Sequence, residues 1–99
     1  MVKNRMRPIH PGEILREELD EAKLSARALA AALGVPTNRI TAILNQRRGI
    51  TADTALRLAR FFATTPELWL NLQTAYDLRV TLQEVGAQIR HDVKPRRAA

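Results

Sequence analysis

Five polar side chains that can form hydrogen bonds to nucleotide bases occur within nine consecutive residues. Asparagine can bond adenine through two hydrogen bonds, and arginine can bond guanine in the same way. Ile40, Ile43 and Leu44 recur at helical spacing in this segment, so the polar residues between them are expected on the outer face of one helix. The sequence therefore predicts a base-reading surface made of Thr37, Asn38, Arg39, Thr41 and Asn45.

Four further residues flank this surface and are suited to bind phosphate. Ser25 and Arg27 stand at the start of the preceding predicted helix, where free backbone N–H groups and a cation would meet an anion. Arg47 and Arg48 follow the predicted recognition segment. The alternative is a pair of packed helices in a bundle, with these arginines as ordinary solvated charges.

The sequence offers little for catalysis or for metal binding. It has no cysteine, and its two histidines, His10 and His91, stand near opposite ends. The crowded carboxylates of the first predicted helix, Glu17, Glu18, Asp20 and Glu21, have no histidine or cysteine at metal-ligand spacing. We expect neither enzymatic activity nor a cofactor, and we interpret His10 as a residue that begins a helix.

The elements that must position these residues are predicted to be five helices. Pro11 opens the first helix, Ser25 caps the second, and Gly34 ends it. Pro36 opens the third helix, Thr51 caps the fourth, and Thr65 with Pro66 begins a long fifth helix. The predicted buried stripe of the fourth helix consists of Leu56, Ala59 and Phe62. The expected fold class is all-α, and the short second helix, the turn at Gly34 and the third helix form a helix-turn-helix.

The stripe of apolar residues on the fifth helix changes direction near Tyr76. Its first half is expected to close the core, whereas Leu78, Leu82, Val85 and Ile89 are expected to contact a second copy of the chain or a partner protein. The predicted organisation is a basic N-terminal tail (1–9), a helix-turn-helix domain (10–76), the continuation of the last helix (77–90) and a basic C-terminal tail (91–99).

The charge is sorted along the chain, which carries +6 overall. Residues 23–60 contain seven basic side chains and one acidic one, Asp53, which is the pattern expected for a polyanionic partner. Near the N-terminus, acidic residues form a separate block in the first predicted helix. The absence of cysteine and of a long apolar run favours a cytoplasmic protein without a membrane span.

Four segments together resemble a known family. Residues 25–35 (SARALAAALGV), followed by Asn38-Arg39-Ile40, are similar to the helix-turn-helix of the phage-repressor (Cro/C1, Xre) superfamily. Residues 10–15 (HPGEIL), 48–59 (RGITADTALRLA) and 66–73 (PELWLNLQ) resemble the HigA antitoxins of type II toxin–antitoxin modules. Two positions depart from the pattern: Ala26 stands where glutamine is common, and Gln46 where glycine is common, so Asn45 or Gln46 must form the exit of the third helix.

This resemblance implies a five-helix, lambda-repressor-like protein that works as a homodimer. Such a protein binds a palindromic operator in its own promoter and neutralises a HigB-like toxin, an mRNA-cleaving ribonuclease of RelE-like fold, by direct binding. The acidic face of the first helix would suit a basic toxin, although a solvated helix face explains it equally simply; its carboxylates are Glu13, Glu17, Glu18 and Glu21. Two alternatives stay open: a stand-alone Xre-type repressor without a toxin, and a protein-binding antitoxin that has lost operator specificity.

Overall fold

The computed structural model describes residues 7–97, which form five α-helices. They are α1 (Pro11–Ala22), α2 (Ala26–Leu33), α3 (Thr37–Leu44), α4 (Ala52–Phe62) and α5 (Pro66–Asp92). The all-α fold class and the order of the helices confirm the prediction. Lys3 and Arg5 of the predicted N-terminal tail lie outside the described residues.

Side chains cap four of the five helices at their N-termini. The predicted caps Ser25, Thr51 and Thr65 accept hydrogen bonds from the backbone N–H groups three residues further on, at 3.0, 3.3 and 3.2 Å. His10 begins α1, where its Nδ1 accepts a hydrogen bond of 2.9 Å from the Gly12 N–H group. These bonds satisfy N–H groups that have no partner within the helix, so polar side chains set where these four helices start.

The core is built from aliphatic side chains around one buried tryptophan. On α4 the buried side chains are Thr54, Ala55, Leu58 and Ala59, so the expectation that Leu56 belongs to the buried stripe is wrong. Leu56 is 60% exposed because it follows Ala55 by one residue, a rotation of roughly 100° around the helix. The buried hydrophobic residues are Leu15, Leu19, Leu29, Ala30, Leu33, Ile40, Ile43, Leu44, Ile50, Ala55, Leu58, Ala59 and Trp69.

A glycine allows α1 to cross the end of α3 at very short range. A Cβ atom built on Gly12 would overlap the backbone carbonyl oxygen of Ile43, and a backbone atom cannot rotate away as a side chain can. The absence of a side chain at Gly12 therefore fixes how closely the start of α1 approaches the last turn of α3.

The long helix α5 has one half inside the body and one half outside it. Trp69 is buried and its Nε1 donates a hydrogen bond of 3.2 Å to the Thr64 hydroxyl, whereas nearly every residue from Leu78 onward is exposed or only partly covered. The principal extents of 53 × 30 × 23 Å reflect this projection. The helix ends at Asp92 and so includes the first two residues of the predicted C-terminal tail, and Gly86 does not interrupt it.

Residues 7–9 of the predicted N-terminal tail contact the body of the protein. Arg7 forms two hydrogen bonds to the Glu13 carboxylate at 2.8 and 2.9 Å, and Pro8 and Ile9 are partly buried. Residues 7–9 therefore lie against α1 because an ion pair and apolar contacts hold them there.

Candidate nucleic-acid interface

Helices α2 and α3 form the predicted helix-turn-helix. Leu29, Ala30 and Leu33 bury the inner side of α2, and Gly34 follows them with a φ of 71°. This left-handed conformation favours glycine, and it lets the N–H group of Val35 donate to the Ala30 carbonyl at 3.0 Å. Only three residues, 34–36, separate the end of α2 from the start of α3.

The outer face of α3 is polar and uncharged at its centre. Ile40, Ile43 and Leu44 are buried, and helical geometry places Asn38, Ala42 and Asn45 on the side of the helix away from them. Asn38 and Asn45 are exposed, as is Thr37, so all three can be reached by a ligand. The Thr41 hydroxyl donates to the Asn38 carbonyl at 3.4 Å and is partly covered.

Arg39 differs from the other four predicted base-reading residues. It lies on the flank of α3 that faces α4, with 24% of its side chain exposed, and its Nη1 donates to Asp53 Oδ1 at 2.7 Å. The same oxygen accepts a hydrogen bond of 2.7 Å from Arg57 Nε. Hydrogen bonds from Arg57 and then from Arg39 hold the pKa of the Asp53 carboxyl below its ordinary value. The guanidinium of Arg39 is thus held at the edge of the surface.

Arg57 links this cluster to the turn. Its Nη1 donates to the Leu33 carbonyl at 2.8 Å, at the end of α2, while its Nε contacts Asp53. Arg57 therefore satisfies a carbonyl group that has no partner within α2. One ion-pair cluster joins the turn, α3 and α4.

The four predicted phosphate-binding residues are exposed at both ends of this unit. Ser25 and Arg27 lie in the first turn of α2, and the Ser25 hydroxyl oxygen is already engaged with the Ala28 N–H group but keeps its own hydrogen to donate. Arg47 and Arg48 lie in the loop after α3. Both candidates for the exit of α3 take part in it: Asn45 is the C-cap, and Gln46 follows in the left-handed conformation with a φ of 62°.

Two polar side chains, the partly buried Gln73 and the buried His10, contact the Arg47–Arg48 loop from the core side. Gln73 of α5 accepts a hydrogen bond of 2.6 Å from the Ile50 N–H group, and its amide lies against Gly49. His10 is 3% exposed and also interacts with the backbone of Arg48. Burial lowers the pKa of His10, and this effect outweighs the opposite influence of Glu13, Asp77 and the Arg48 backbone.

Sequence reasoning missed three residues of this arrangement. Gln73 and His10 position the arginine loop from distant parts of the chain, and no local pattern could reveal that. Asp53 did carry a signal, because it is the single acidic residue among the seven basic ones of residues 23–60. A lone carboxylate inside a basic segment indicates that one of its neighbours is an ion-pair partner.

The acidic face of α1 is divided in the structure. The Glu13 carboxylate accepts hydrogen bonds from Arg7 and from the His10 N–H group, which complete the capping of α1. The hydrogen bond from Arg7 is the main reason why the pKa of Glu13 is lowered. Glu17 and Glu21 are exposed, and Glu18, like Glu13, is partly covered.

The outer half of α5 carries a row of exposed apolar side chains. Leu78, Leu82, Val85 and Ile89 are 67, 59, 41 and 48% exposed. Their spacings of four, three and four residues place them on one side of the helix. Gly86 lies beneath the Leu82 side chain and leaves a shallow apolar groove along this row.

Residues 7–97 show no group of histidine and acidic side chains that could hold a metal ion. In the same part of the chain, no helix is both long and apolar enough to cross a membrane.

Comparison with known proteins identifies a matching family and close relatives. A family model described as helix-turn-helix matches residues 15–69. Virulence-associated protein I of Dichelobacter nodosus is 59% identical over 83 residues, which cover 83% of this chain and 77% of the relative.

Two solved structures are similar over nearly the whole chain. An addiction module antidote protein of the HigA family from Coxiella burnetii is 63% identical, with a TM-score of 0.88 over 91% of this chain and 99% of the other. The antitoxin HigA of Pseudomonas aeruginosa, solved with the higBA promoter, is 48% identical, with a TM-score of 0.87 over 90% of this chain and 98% of the other. This family of transcriptional regulators and antitoxins is non-enzymatic. The chain belongs to the Xre/Cro-type helix-turn-helix family and, within it, to the HigA antitoxins.

Proposed function

We propose that this protein is an antitoxin that binds an operator in its own promoter and represses transcription. The observation that carries the proposal is the exposed polar face of α3 between two sets of exposed cations, one in α2 and one in the loop after α3. An α-helix of this kind fits the major groove, and flanking cations contact the phosphates on either side. The related HigA of Pseudomonas aeruginosa, solved with promoter DNA, supports this interpretation. Binding to a promoter would take place in the cytoplasm.

In this proposal the residues divide into two roles. Base edges are read by Thr37, Asn38, Thr41 and Asn45 from the outer face of α3, and by Arg39 from its flank. Phosphates are bound by Ser25, Arg27, Arg47 and Arg48. The body 10–76 is the DNA-binding domain, and the remainder of α5 projects from it.

We further propose that two copies associate through the exposed stripe of α5. Four apolar side chains on one side of a projecting helix are costly to leave in water, and an identical stripe on a second copy can cover them. A two-fold dimer presents two recognition helices about 34 Å apart, which requires a palindromic operator.

The DNA-binding proposal is tested by a mobility shift on the promoter fragment of the protein's own gene, at about 150 mM salt and with competitor DNA. A discrete band that resists competitor is the expected result. Diffuse, salt-sensitive retardation without a preferred site would contradict sequence-specific binding.

Matched arginine variants separate the two roles. Arg39→Ala should reduce discrimination at one operator base pair. Arg48→Ala should weaken binding to all operator sequences alike, and it should reduce the slope of log affinity against log salt concentration by about one. Arg90→Ala, in the last turn of α5 and far from α3, serves as the control and should behave like the wild type. Identical profiles of the first two variants across a set of operator variants would show that the division of roles is wrong.

The antitoxin half of the proposal assigns the toxin contact to α1. Glu17, Glu18 and Glu21 present surface carboxylates that complement a basic, HigB-like toxin. Glu13 is the fourth carboxylate of this face, and its oxygens also accept hydrogen bonds from Arg7 and from the His10 N–H group. The alternative is a stand-alone Xre-type repressor without a toxin partner.

A neighbouring gene and a binding assay distinguish these two possibilities. A small basic protein encoded beside this gene should bind the purified chain, and Glu17→Lys combined with Glu21→Lys should weaken the complex. Glu67→Lys, an exposed acidic position at the start of α5, is the control. If no such gene exists, or if its product does not bind, the stand-alone repressor is the correct function.

A further inference from the structure

The ion-pair cluster between α3 and α4 suggests a role for Asp53 beyond that of a helix-terminus residue. Asp53 lies in the first turn of α4, where a carboxylate stabilises the helix dipole, and this is its expected function. However, its Oδ1 is within 2.7 Å of both Arg39 and Arg57. The carboxylate therefore also bonds the one arginine of the recognition helix.

The pair restricts the position of the Arg39 guanidinium. A free arginine side chain samples many rotamers and loses side-chain entropy when it is fixed. Here Arg39 Nη1 donates to Asp53 Oδ1, and Arg57 Nε donates to the same oxygen while Arg57 Nη1 donates to the Leu33 carbonyl. Arg39 is thus oriented before any DNA is present.

The pair also leaves Arg39 able to bind a base. A guanidinium has five N–H donors, and the structure shows one hydrogen bond to Asp53, so the remaining donors can still face the O6 and N7 atoms of guanine. When one edge of the Arg39 guanidinium is fixed, its other N–H donors can point in fewer directions. A pre-oriented donor pair discriminates between bases better than a mobile one, which can turn to any nearby phosphate.

We propose that Asp53 is a positioning residue for sequence recognition, which orients Arg39 toward one base pair of the operator. This inference rests on the proposed DNA-binding function. It adds a residue on α4, outside the helix-turn-helix itself, to those that determine which operator is bound.

The test is a double-mutant cycle read out as discrimination between operator variants. Arg39→Ala, Asp53→Asn and the double variant are compared with the wild type on the promoter operator and on a set of single base-pair substitutions. Asp53→Asn keeps the size of the side chain while it removes the charge. Glu67→Gln, the equivalent acidic residue in the first turn of α5, is the matched control.

Asp53→Asn should reduce discrimination at the base pair read by Arg39 by roughly threefold or more, and it should raise the affinity for random DNA because a negative charge near the phosphates is lost. In the Arg39→Ala background the same substitution should leave discrimination unchanged. Glu67→Gln should match the wild type. If Asp53 only stabilised α4, Asp53→Asn would lower the melting temperature, and its effect on operator discrimination would not depend on Arg39.

The outcomes for the two proposals are distinct. If the wild type does not prefer its operator, the proposed DNA-binding function fails and this inference fails with it. If the wild type is selective but Asp53→Asn changes discrimination equally with and without Arg39, or not at all, the positioning role alone is overturned.

Discussion

Gln73 provides the sharpest test of how the arginine loop is held. Its Oε1 accepts a hydrogen bond of 2.6 Å from the Ile50 N–H group, and Ile50 is 5% exposed. Its Nε2 donates to Asp77 at 2.9 Å on the surface of α5. Gln73→Ala leaves the Ile50 N–H group without its partner in a site that water reaches poorly.

The loss of stability expected for Gln73→Ala comes mainly from the bond to the Ile50 N–H group, which is the less exposed of the two. A buried backbone N–H group that loses its partner costs about 1–3 kcal/mol, whereas the exposed bond to Asp77 contributes only a few tenths. One kcal/mol shifts the melting temperature of a domain of this size by roughly 4–8 °C. Gln73→Ala should therefore lower the melting temperature by about 4–24 °C.

Gln88→Ala is the matched control. Gln88 is a glutamine in the same helix and donates a hydrogen bond of 2.8 Å to Asp92, four residues on, but it lies far from the loop. Calorimetry of the two variants should show a large decrease for Gln73→Ala and almost none for Gln88→Ala. Equal melting temperatures would refute the argument that the buried bond to Ile50 holds the loop.

The same variant carries a consequence for DNA binding. A mobile Arg47–Arg48 loop must be ordered again when it meets phosphate, so Gln73→Ala should weaken binding to all operators to a similar extent. Base preference should be unchanged, since Asn38 and Asn45 lie on α3 and are held by other contacts. A changed order of preferred operators would contradict this division.

Three further predictions concern close packing, pH and assembly. Gly12→Ala should destabilise the fold by about 1–3 kcal/mol in chemical denaturation because its Cβ meets the Ile43 carbonyl oxygen, whereas Gly86→Ala meets only the movable Leu82 side chain and should be nearly neutral. Burial holds the pKa of His10 below its ordinary 6.5, so the unfolded chain binds a proton at His10 more readily than the folded protein does. The contribution of His10 to the free energy of unfolding is therefore complete above pH 6.5 and is lost as the pH falls toward the folded-state pKa. His10→Asn retains a capping side chain, and its free energy of unfolding should fall less than that of the wild type as the pH is lowered below 6.5. If the slope of unfolding free energy against pH is the same in both proteins, His10 is not the source of the pH dependence. If two copies associate through α5 as proposed, Leu82→Glu should yield a monomer in sedimentation equilibrium while Gln83→Glu leaves the association intact, and a dimeric Leu82→Glu variant would place the interface elsewhere.

The local elements of this protein could be predicted from the sequence because their signals are local. Ser25, Thr51 and Thr65 each precede a helix by one residue, and a short hydroxyl side chain bonds only to backbone a few residues away. Gly34 ends α2 for an equally local reason, its access to positive φ. The buried face of α3 followed from spacing alone, since one stripe of Ile40, Ile43 and Leu44 has a single inward direction.

The sequence was less informative where two faces of a helix are both apolar. On α4 the period allowed Leu56 to be assigned to the core, and only the packing against α2 and α5 selected Ala55 and Leu58 instead. The helix-turn-helix and the exposed stripe of α5 were thus determined by the sequence itself. The tertiary structure alone decided that Asp53 meets Arg39, that Gln73 and His10 hold the arginine loop, and that Arg7 occupies Glu13, because each of these contacts joins separate elements whose relative placement depends on the whole core.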